Sequence, residues 1–290
     1  MGVYGVNGEQ INAVFGEKAI LPLSAAYDLD GNAIFPTTPK RLKVMTYNCG
    51  EWYYGGGDNV PADKDSEYFA LQSGMIERNN PDVLLIQEYW VMFSKLGRTA
   101  MSMLEQFFPF IYPYGGDSGY YGHCICSKYP ISDYTVHTYT DNNNRYYDSC
   151  TITVIDTPIT FVNTHLDTNS TKRQTELGEL ITYLQSLDTF VCAGDFNTLQ
   201  CLDTSGEDYT TIITPLLNAG FHLANCSNFG FLVTYVDGGY TGCLDNIVTS
   251  ANITILTAEV DTTKLSDNLG ERPDHLPLFS VVEINEEELN

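Results

Sequence analysis

Val191–Asn197, Val-Cys-Ala-Gly-Asp-Phe-Asn, reads as a buried strand that stops in a glycine, a carboxylate and a carboxamide. Open α/β sheets bind ligands at the carboxyl ends of their strands, so Asp195 and Asn197 stand where chemistry is done. The arrangement recurs along the chain. Leu42–Asn48 ends in a carboxamide, 82–88 ends in Gln87-Glu88, and 159–167 leads into a polar cluster containing His165. Asp245 sits inside the apolar run 242–249, and Asp274-His275 opens the last strand. Carboxylates and carboxamides with two histidines are hard ligands suited to Mg²⁺, Mn²⁺ or Ca²⁺. Such an ion beside imidazoles is what phosphoester hydrolysis requires: neutralised charge, an activated water and a stabilised leaving oxygen. Singly, each residue has a plainer reading. Asp245 fits a satisfied buried carboxylate, Asp274-His275 a turn before Pro277, and His165 a hydrogen-bonded core histidine. Their joint order at the ends of successive strands favours the chemical reading.

Bringing these groups together takes alternating strands and helices. From Arg41 the pattern is strand, helix, strand, with a helix predicted from about Asp65 that places Tyr68, Leu71 and Met75 on one face and ends at Asn79-Asn80 before Pro81. A second amphipathic helix is predicted over 99–108, stopped by Pro109. Strands are expected over 122–127, 134–138 and 149–155, the last with Cys150, Ile152 and Val154 on one face. Thr171-Lys-Arg-Gln174 reads as a capping box opening a helix that carries Leu177, Leu180, Ile181, Leu184 and Leu187. A helix over 209–218, a strand over 231–235 and a last strand over 275–284 complete the pattern.

Composition narrows the classes. With 43% hydrophobic and 12% aromatic residues, the 290-residue chain can fill a large core. Lys and Arg total 14 against 37 Asp and Glu, a formal charge of −23, which argues against a tight, sequence-indifferent coat on nucleic acid. A hydrolase of nucleic acid stays compatible with it, because bound divalent cations invert the potential locally. No apolar run has the length of a membrane span, and Glu9, Glu17, Lys18 and Asp28 interrupt any signal-peptide core. A cytoplasmic location is therefore expected, with secretion or association with a phage particle as alternatives. The eight cysteines form no Cys-x-x-Cys pair; Cys124, Cys126, Cys150 and Cys192 read as small buried hydrophobes of a reduced chain, while the even count leaves disulfides open.

Residues 1–40 have a different texture. Asn7-Gly8 and Asp30-Gly31 are two-residue hairpin signals within a short internal echo, so a β-hairpin arm is expected, packed on the main domain, a partner protein or a second copy. The main domain is expected over 41–285, with 286–290 as a solvated acidic tail.

Thr46-Tyr-Asn48, Ile86-Gln-Glu88, Val162-Asn-Thr-His165-Leu-Asp167, Gly194-Asp-Phe-Asn197, Leu244-Asp245-Asn-Ile and Asp274-His275-Leu-Pro together resemble the motifs of the endonuclease/exonuclease/phosphatase superfamily, in its order. Ser127-Lys-Tyr-Pro-Ile131 is similar to a further segment of it. The resemblance implies a deoxyribonuclease I-like fold of mixed α/β (α+β) class: a four-layer αββα sandwich, two mixed β-sheets face to face with helices outside. It implies that Glu88 binds the main divalent ion, Mg²⁺ or Mn²⁺ with Ca²⁺ as a further option, helped by Asn48 and Asp274. Asp195 would orient or deprotonate the attacking water and Asn197 would hold the phosphate. His275, polarised by Asp245, and His165 would stabilise phosphorane-like charge and assist the leaving oxygen. Arg145 and Tyr120 are expected on the substrate side. The division of acid and base roles between Asp195 and His275 stays open.

Departures narrow the branch. Gly50 stands where many base-excision endonucleases of the superfamily carry an acidic residue, whereas Asn163-Thr-His165-Leu suits the deoxyribonuclease, deadenylase, sphingomyelinase and general phosphodiesterase branches. Trp52-Tyr53-Tyr54 and Tyr146-Tyr147 read as cover for a sheet edge, with base stacking or lipid contact as the alternative. His123, His137 and His222 match no motif. The expected activity is a divalent-metal-dependent phosphodiesterase acting on nucleic acid; the alternatives are a phospholipid, sphingomyelin or small-molecule phosphoesterase, and a non-catalytic adaptor that retains the fold.

Overall fold

The computed structural model describes residues 40–52, 63–92, 98–115, 122–140, 145–237, 239–263 and 274–285. The expected arm, apart from Lys40, and the acidic tail lie outside these residues, as do Tyr53, Tyr54 and Tyr120. In chain order the strands are β1 (Lys40–Asn48), β2 (Val83–Tyr89), β3 (Phe110–Tyr114), β4 (Gly122–Ser127), β5 (Ile131–Thr138), β6 (Tyr146–Val154), β7 (Thr157–His165), β8 (Phe190–Asp195), β9 (His222–Leu223), β10 (Tyr235–Asp237), β11 (Tyr240–Gly242), β12 (Asp245–Thr249), β13 (Ile253–Val260) and β14 (Leu278–Ile284). The helices are α1 (Asp65–Asn79), α2 (Ala100–Leu104), α3 (Ser170–Leu184) and α4 (Thr214–Asn218).

Two six-stranded sheets form, in the orders β13-β14-β1-β2-β4-β3 and β5-β6-β7-β8-β12-β9, with β10 and β11 as a separate hairpin. Both are mixed: β1 runs parallel to β2 and β7 to β8, whereas β2–β4, β6–β7 and β8–β12 are antiparallel. Alternation sorts the side chains into layers. Val44, Val83, Leu85 and Ile125 of the first sheet share one buried cluster with Ile159, Phe161, Val191 and Ile247 of the second. The opposite faces carry Met45, Leu84 and Ile86 against Tyr68 and Met75 of α1, and Val162, Cys192 and Val248 against Leu177 and Leu180 of α3. The expected four-layer sandwich is the observed one.

Besides the groups of the candidate site, polar side chains bridge the two sheets through Gln87–Asn163 and His123–Asp148. Gln87 Nε2 in β2 donates to Asn163 Oδ1 in β7 at 2.7 Å, Asn163 Nδ2 returns to Ile86 O at 2.9 Å, and Thr46 joins through the Gln87 carboxamide. His123 Nδ1 in β4 lies 2.6 Å from Asp148 Oδ1 in β6, and Tyr134 OH donates to Asp148 Oδ2 at 3.1 Å.

Several elements differ from expectation. The helix expected over 99–108 lasts five residues, because Gln106 and Phe107 bond three residues back and tighten the chain before Pro109. Asn169, not Thr171, caps α3, its Oδ1 accepting from Thr171 N and Lys172 N. The helix over 209–218 is a π-helical turn, Tyr209–Ile213, followed by α4. The chain over 231–234 is not strand, and pairing begins at Tyr235; likewise the last strand starts at Leu278, His275 making only an isolated bridge to Tyr235. The edge strand β3 and the half-exposed β13, whose threonines blur its alternation, were not anticipated. Among the described residues, no helix is long and apolar enough to cross a membrane.

Candidate active site

Register places the groups. His165 at the end of β7, Asp195 at the end of β8 and Asp245 at the start of β12 are direct partners across three adjacent strands. Partners across a ladder point to the same side, so all three side chains face the other sheet. There, Asn48 ends β1 beside Gln87. Strand alternation alone would turn Glu88 outward, toward α1. A bulge between Ile86 and Tyr89 with Glu88 at φ 52° turns it toward Asn48 instead, a left-handed conformation that costs a non-glycine residue about 1 kcal/mol or more. Gly194 has a packing reason: a Cβ there would lie 1.9 Å from Thr164 O, so any side chain would push β8 off β7.

Asn48 joins the two halves. Its Nδ2 donates to Glu88 Oε1 at 3.2 Å and to Asp195 Oδ2 at 3.0 Å, while its Oδ1 accepts from Gly50 N. Asp195 Oδ2 also lies 3.3 Å from His165 Nε2 and 3.6 Å from His275 Nε2. Behind it, His275 Nδ1 lies 2.8 Å from Asp245 Oδ2. Thr234 Oγ1 accepts from the Asp245 and Leu244 amides, and Tyr235 packs edge-on to the His275 ring at 5.2 Å. Asn197, at φ 53°, donates from Nδ2 to Leu166 O and from its backbone to Asp195 Oδ1, so it ties the His165 loop to the β8 end.

Electrostatics separates the groups. Burial pushes the Glu88 carboxyl up to about 7, against the His275 charge and the Asn48 bond that favour ionisation. Burial likewise pushes Asp195 up to about 6, offset in part by His275. For His275, burial opposes the cation, yet Asp245 and Asp195 outweigh it and push the imidazole up to about 10. Burial, together with the Arg145 charge, holds His165 well below its usual value. At neutral pH the site therefore holds a His275 cation, an Asp195 anion and a neutral His165.

These groups open on one cleft of about 460 Å³, lined by Glu88, His165, Asp195, Asn197, Asp274 and His275. Arg145, immediately before β6, lines it too; Asp245 and Asn48 stand behind the lining. The cleft extends over residues without a sequence signal. Arg173 of α3 donates to Asp167 O, Thr168 O and, at 2.5 Å, Asp208 Oδ1, while Asp208 Oδ2 accepts from Gln200 N. This buried pair straps the loop after β7 to the loop after β8. Its partners are 35 residues apart, and neither belongs to a local motif.

A profile described as "Endonuclease/Exonuclease/phosphatase family" matches residues 45–267, and the chain belongs to that family. Its members are generally divalent-metal-dependent phosphoester hydrolases. Comparison with curated proteins finds no match. Among solved structures, an endonuclease/exonuclease/phosphatase from Beutenbergia cavernae superposes with a TM-score of 0.63 at 13% identity, covering 87% of this chain and 73% of that one. A humanized D. rerio TDP2 gives 0.61 at 12% identity over 84% and 99%. D. rerio TDP2 complexed with single-strand DNA product gives 0.61 at 13% identity over 83% and 98%. These likenesses establish the shared deoxyribonuclease I-like fold.

Proposed function

We propose that this chain is a divalent-metal-dependent phosphodiesterase acting on nucleic acid. The observation that carries the reading is the convergence of Glu88, His165, Asp195 and His275, from both sheets, on one open cleft. The donor set fits a hard cation: the Glu88 and Asp274 carboxylates share a cleft edge, and burial keeps Glu88 protonated up to about 7 unless a positive charge offsets its own. Glu88 and Asp274 would hold the ion, with Asn48 orienting Glu88 through its amide. When bound, the ion supplies charge neutralisation at the phosphoryl oxygens.

Asp195, Asp245 and His275 offer ligand atoms within 4.8 Å of one another. The 2.8 Å bond from His275 Nδ1 occupies Asp245, which favours a proton-handling relay there over a second cation site. In this reading Asp195, ionised at neutral pH, accepts a proton from the attacking water. His275, held cationic by Asp245, meets the charge developing on phosphorus-bound oxygens with Nε2–H and protonates the leaving oxygen. Neutral His165 carries its single N–H on Nε2, where it holds the Asp195 carboxylate in place. The second amide N–H of Asn197 is left for a phosphate oxygen. Arg145 brings a positive charge to the cleft lining, Arg173 being paired with Asp208, and the relative with single-strand DNA product supports a nucleic-acid substrate.

The test is turnover with Mg²⁺ or Mn²⁺ of plasmid DNA, single-stranded DNA, RNA, sphingomyelin and a chromogenic phosphodiester. Cleavage of a nucleic acid, abolished by Asp195→Ala, is expected. Cleavage of the lipid or the small diester alone overturns the substrate class. Turnover of none, with metal bound, overturns the enzyme reading in favour of an adaptor.

A further inference from the structure

Outside the active cleft, three buried thiols lie in a row. Cys201 follows β8, Cys226 follows β9 and Cys243 precedes β12, and all are free cysteines. The Sγ atoms of Cys201 and Cys226 are 3.1 Å apart, and Cys243 is the third thiol beside Cys226. Cys226 stands at φ 58°, a left-handed conformation unfavourable for a side chain with a Cβ. Buried at 1% exposure, it also lines a second cleft of about 480 Å³, bounded by Tyr209, Phe221, Phe229 and Phe231, the side from which a small molecule would approach it.

We propose that Cys226 is a redox-modification site, joined to Cys201 by a disulfide when a peroxide enters this second cleft, with Cys243 as the alternative partner. Forming the bond takes a closure of about 1 Å from the present contact. One sulfur of the pair attacks the peroxide O–O bond and becomes a sulfenic acid; the departing hydroxide takes the thiol proton as water. The second sulfur then attacks the sulfenic sulfur, the S–O bond breaks, and hydroxide leaves with the second thiol proton as another water. Two thiols are oxidised and one peroxide is reduced to two waters. The third thiol can exchange with the new bond through its thiolate, giving Cys226–Cys243.

The linkage matters because of what the sulfurs are attached to. Cys201 follows Leu199 and Gln200, which line the active cleft, and Cys226 follows Asn225, whose Nδ2 holds Asp245 O at 3.0 Å. The bond would couple the loop after β8 to the backbone behind the His275–Asp245 pair.

The experiment treats the purified full chain with graded hydrogen peroxide and reads intact mass and disulfide-linked peptides, with reversal by dithiothreitol. These readouts are independent of any phosphodiesterase activity. The expected result is a first mass loss of two hydrogens mapping to Cys201–Cys226, lost in Cys226→Ser and kept in Cys150→Ser. In Cys201→Ala the linkage moves to Cys226–Cys243, a readout that serves if Cys226→Ser fails to fold. A first linkage between other cysteines, oxidation to sulfinic acid with no linked peptide, or an unchanged mass loss in folded Cys226→Ser overturns the proposal.

Discussion

Two buried histidine–aspartate pairs, His275–Asp245 and His123–Asp148, have nearly the same ring-to-carboxylate distance, 2.8 and 2.6 Å at Nδ1, in different surroundings. His275 turns Nε2 toward Asp195 and an open cleft. The other pair is closed: the Tyr134 hydroxyl takes the second Asp148 oxygen, and the His123 ring packs 4.3 Å from the ring of Tyr146. His123 also bridges β4 of one sheet to Asp148 on β6 of the other. A histidine–aspartate pair handles protons only where its outer nitrogen meets something that reacts; enclosed, the same pair is a strut.

Substitution at the histidines should separate the two most sharply. His275→Asn is expected to lower kcat/KM by a factor on the order of 10³–10⁴ with the circular dichroism spectrum unchanged, since it removes both a charge stabiliser and a proton donor. His123→Asn leaves Asp148 buried without its partner and should destabilise by about 3–5 kcal/mol in chemical denaturation, with kcat/KM of the folded fraction within about tenfold of wild type. Comparable activity losses in both variants would collapse the distinction.

The pH profile sharpens it further. Below about 6 Asp195 is protonated and cannot take a proton, and above about 10 His275 loses its charge, so activity should rise through the first value and fall through the second. Asp245→Asn removes the leading charge that raises His275 and should bring the alkaline limb toward neutrality, with a rate loss on the order of 10²-fold or more. Asp148→Asn should leave that limb where it is. Limbs that move alike in the two variants would show that the pairs are not functionally distinct.

Glu88 gives a smaller effect of opposite sign. Its folded value of about 7 lies above the ordinary 4.5, so its contribution to stability is present below about 4.5 and is lost as pH rises through about 7. Glu88→Gln keeps an acceptor for Asn48 and removes the buried charge. Chelator-treated Glu88→Gln should therefore be more stable than wild type at pH 8, by up to about 3 kcal/mol, and show no such gain at pH 4. Added Mg²⁺ should raise the melting temperature of wild type only; an equal rise in the variant would move the metal away from Glu88. Smallest of all, Tyr134→Phe should cost about 1 kcal/mol of stability and leave the pH profile untouched.

Asn48, Glu88, His165, Asp195 and Asn197 were legible because each follows an apolar run that stops in a polar residue; Asp245 was legible as a lone carboxylate inside an apolar run, and His275 as a polar residue opening the last strand. That Glu88 sits on a bulge was not legible, since Ile86-Gln-Glu88-Tyr89 alternates no differently from an unbulged strand end. Arg173 stood only within the segment read as a capping box, and Asp208 carried no sequence signal; only the folded chain brings them within a hydrogen bond. Tyr235 likewise reaches His275 through an isolated bridge between segments 40 residues apart, for which no periodicity exists. His123 was visible as a residue but not as half of a pair, because its partner lies 25 positions away on the other sheet.

The Gln87–Asn163 amide pair has a consequence for how such a protein can change. Each sheet owns only part of the candidate site, and this pair is a dowel that indexes one sheet to the other just beneath it. Apolar residues there would fill the space and leave the sheets freer to slide, carrying Glu88 out of alignment with His165 although neither had been altered. Variation in the shared core is thus variation in the geometry of the candidate site, and substitutions far from the cleft can retune it through the angle at which two sheets meet.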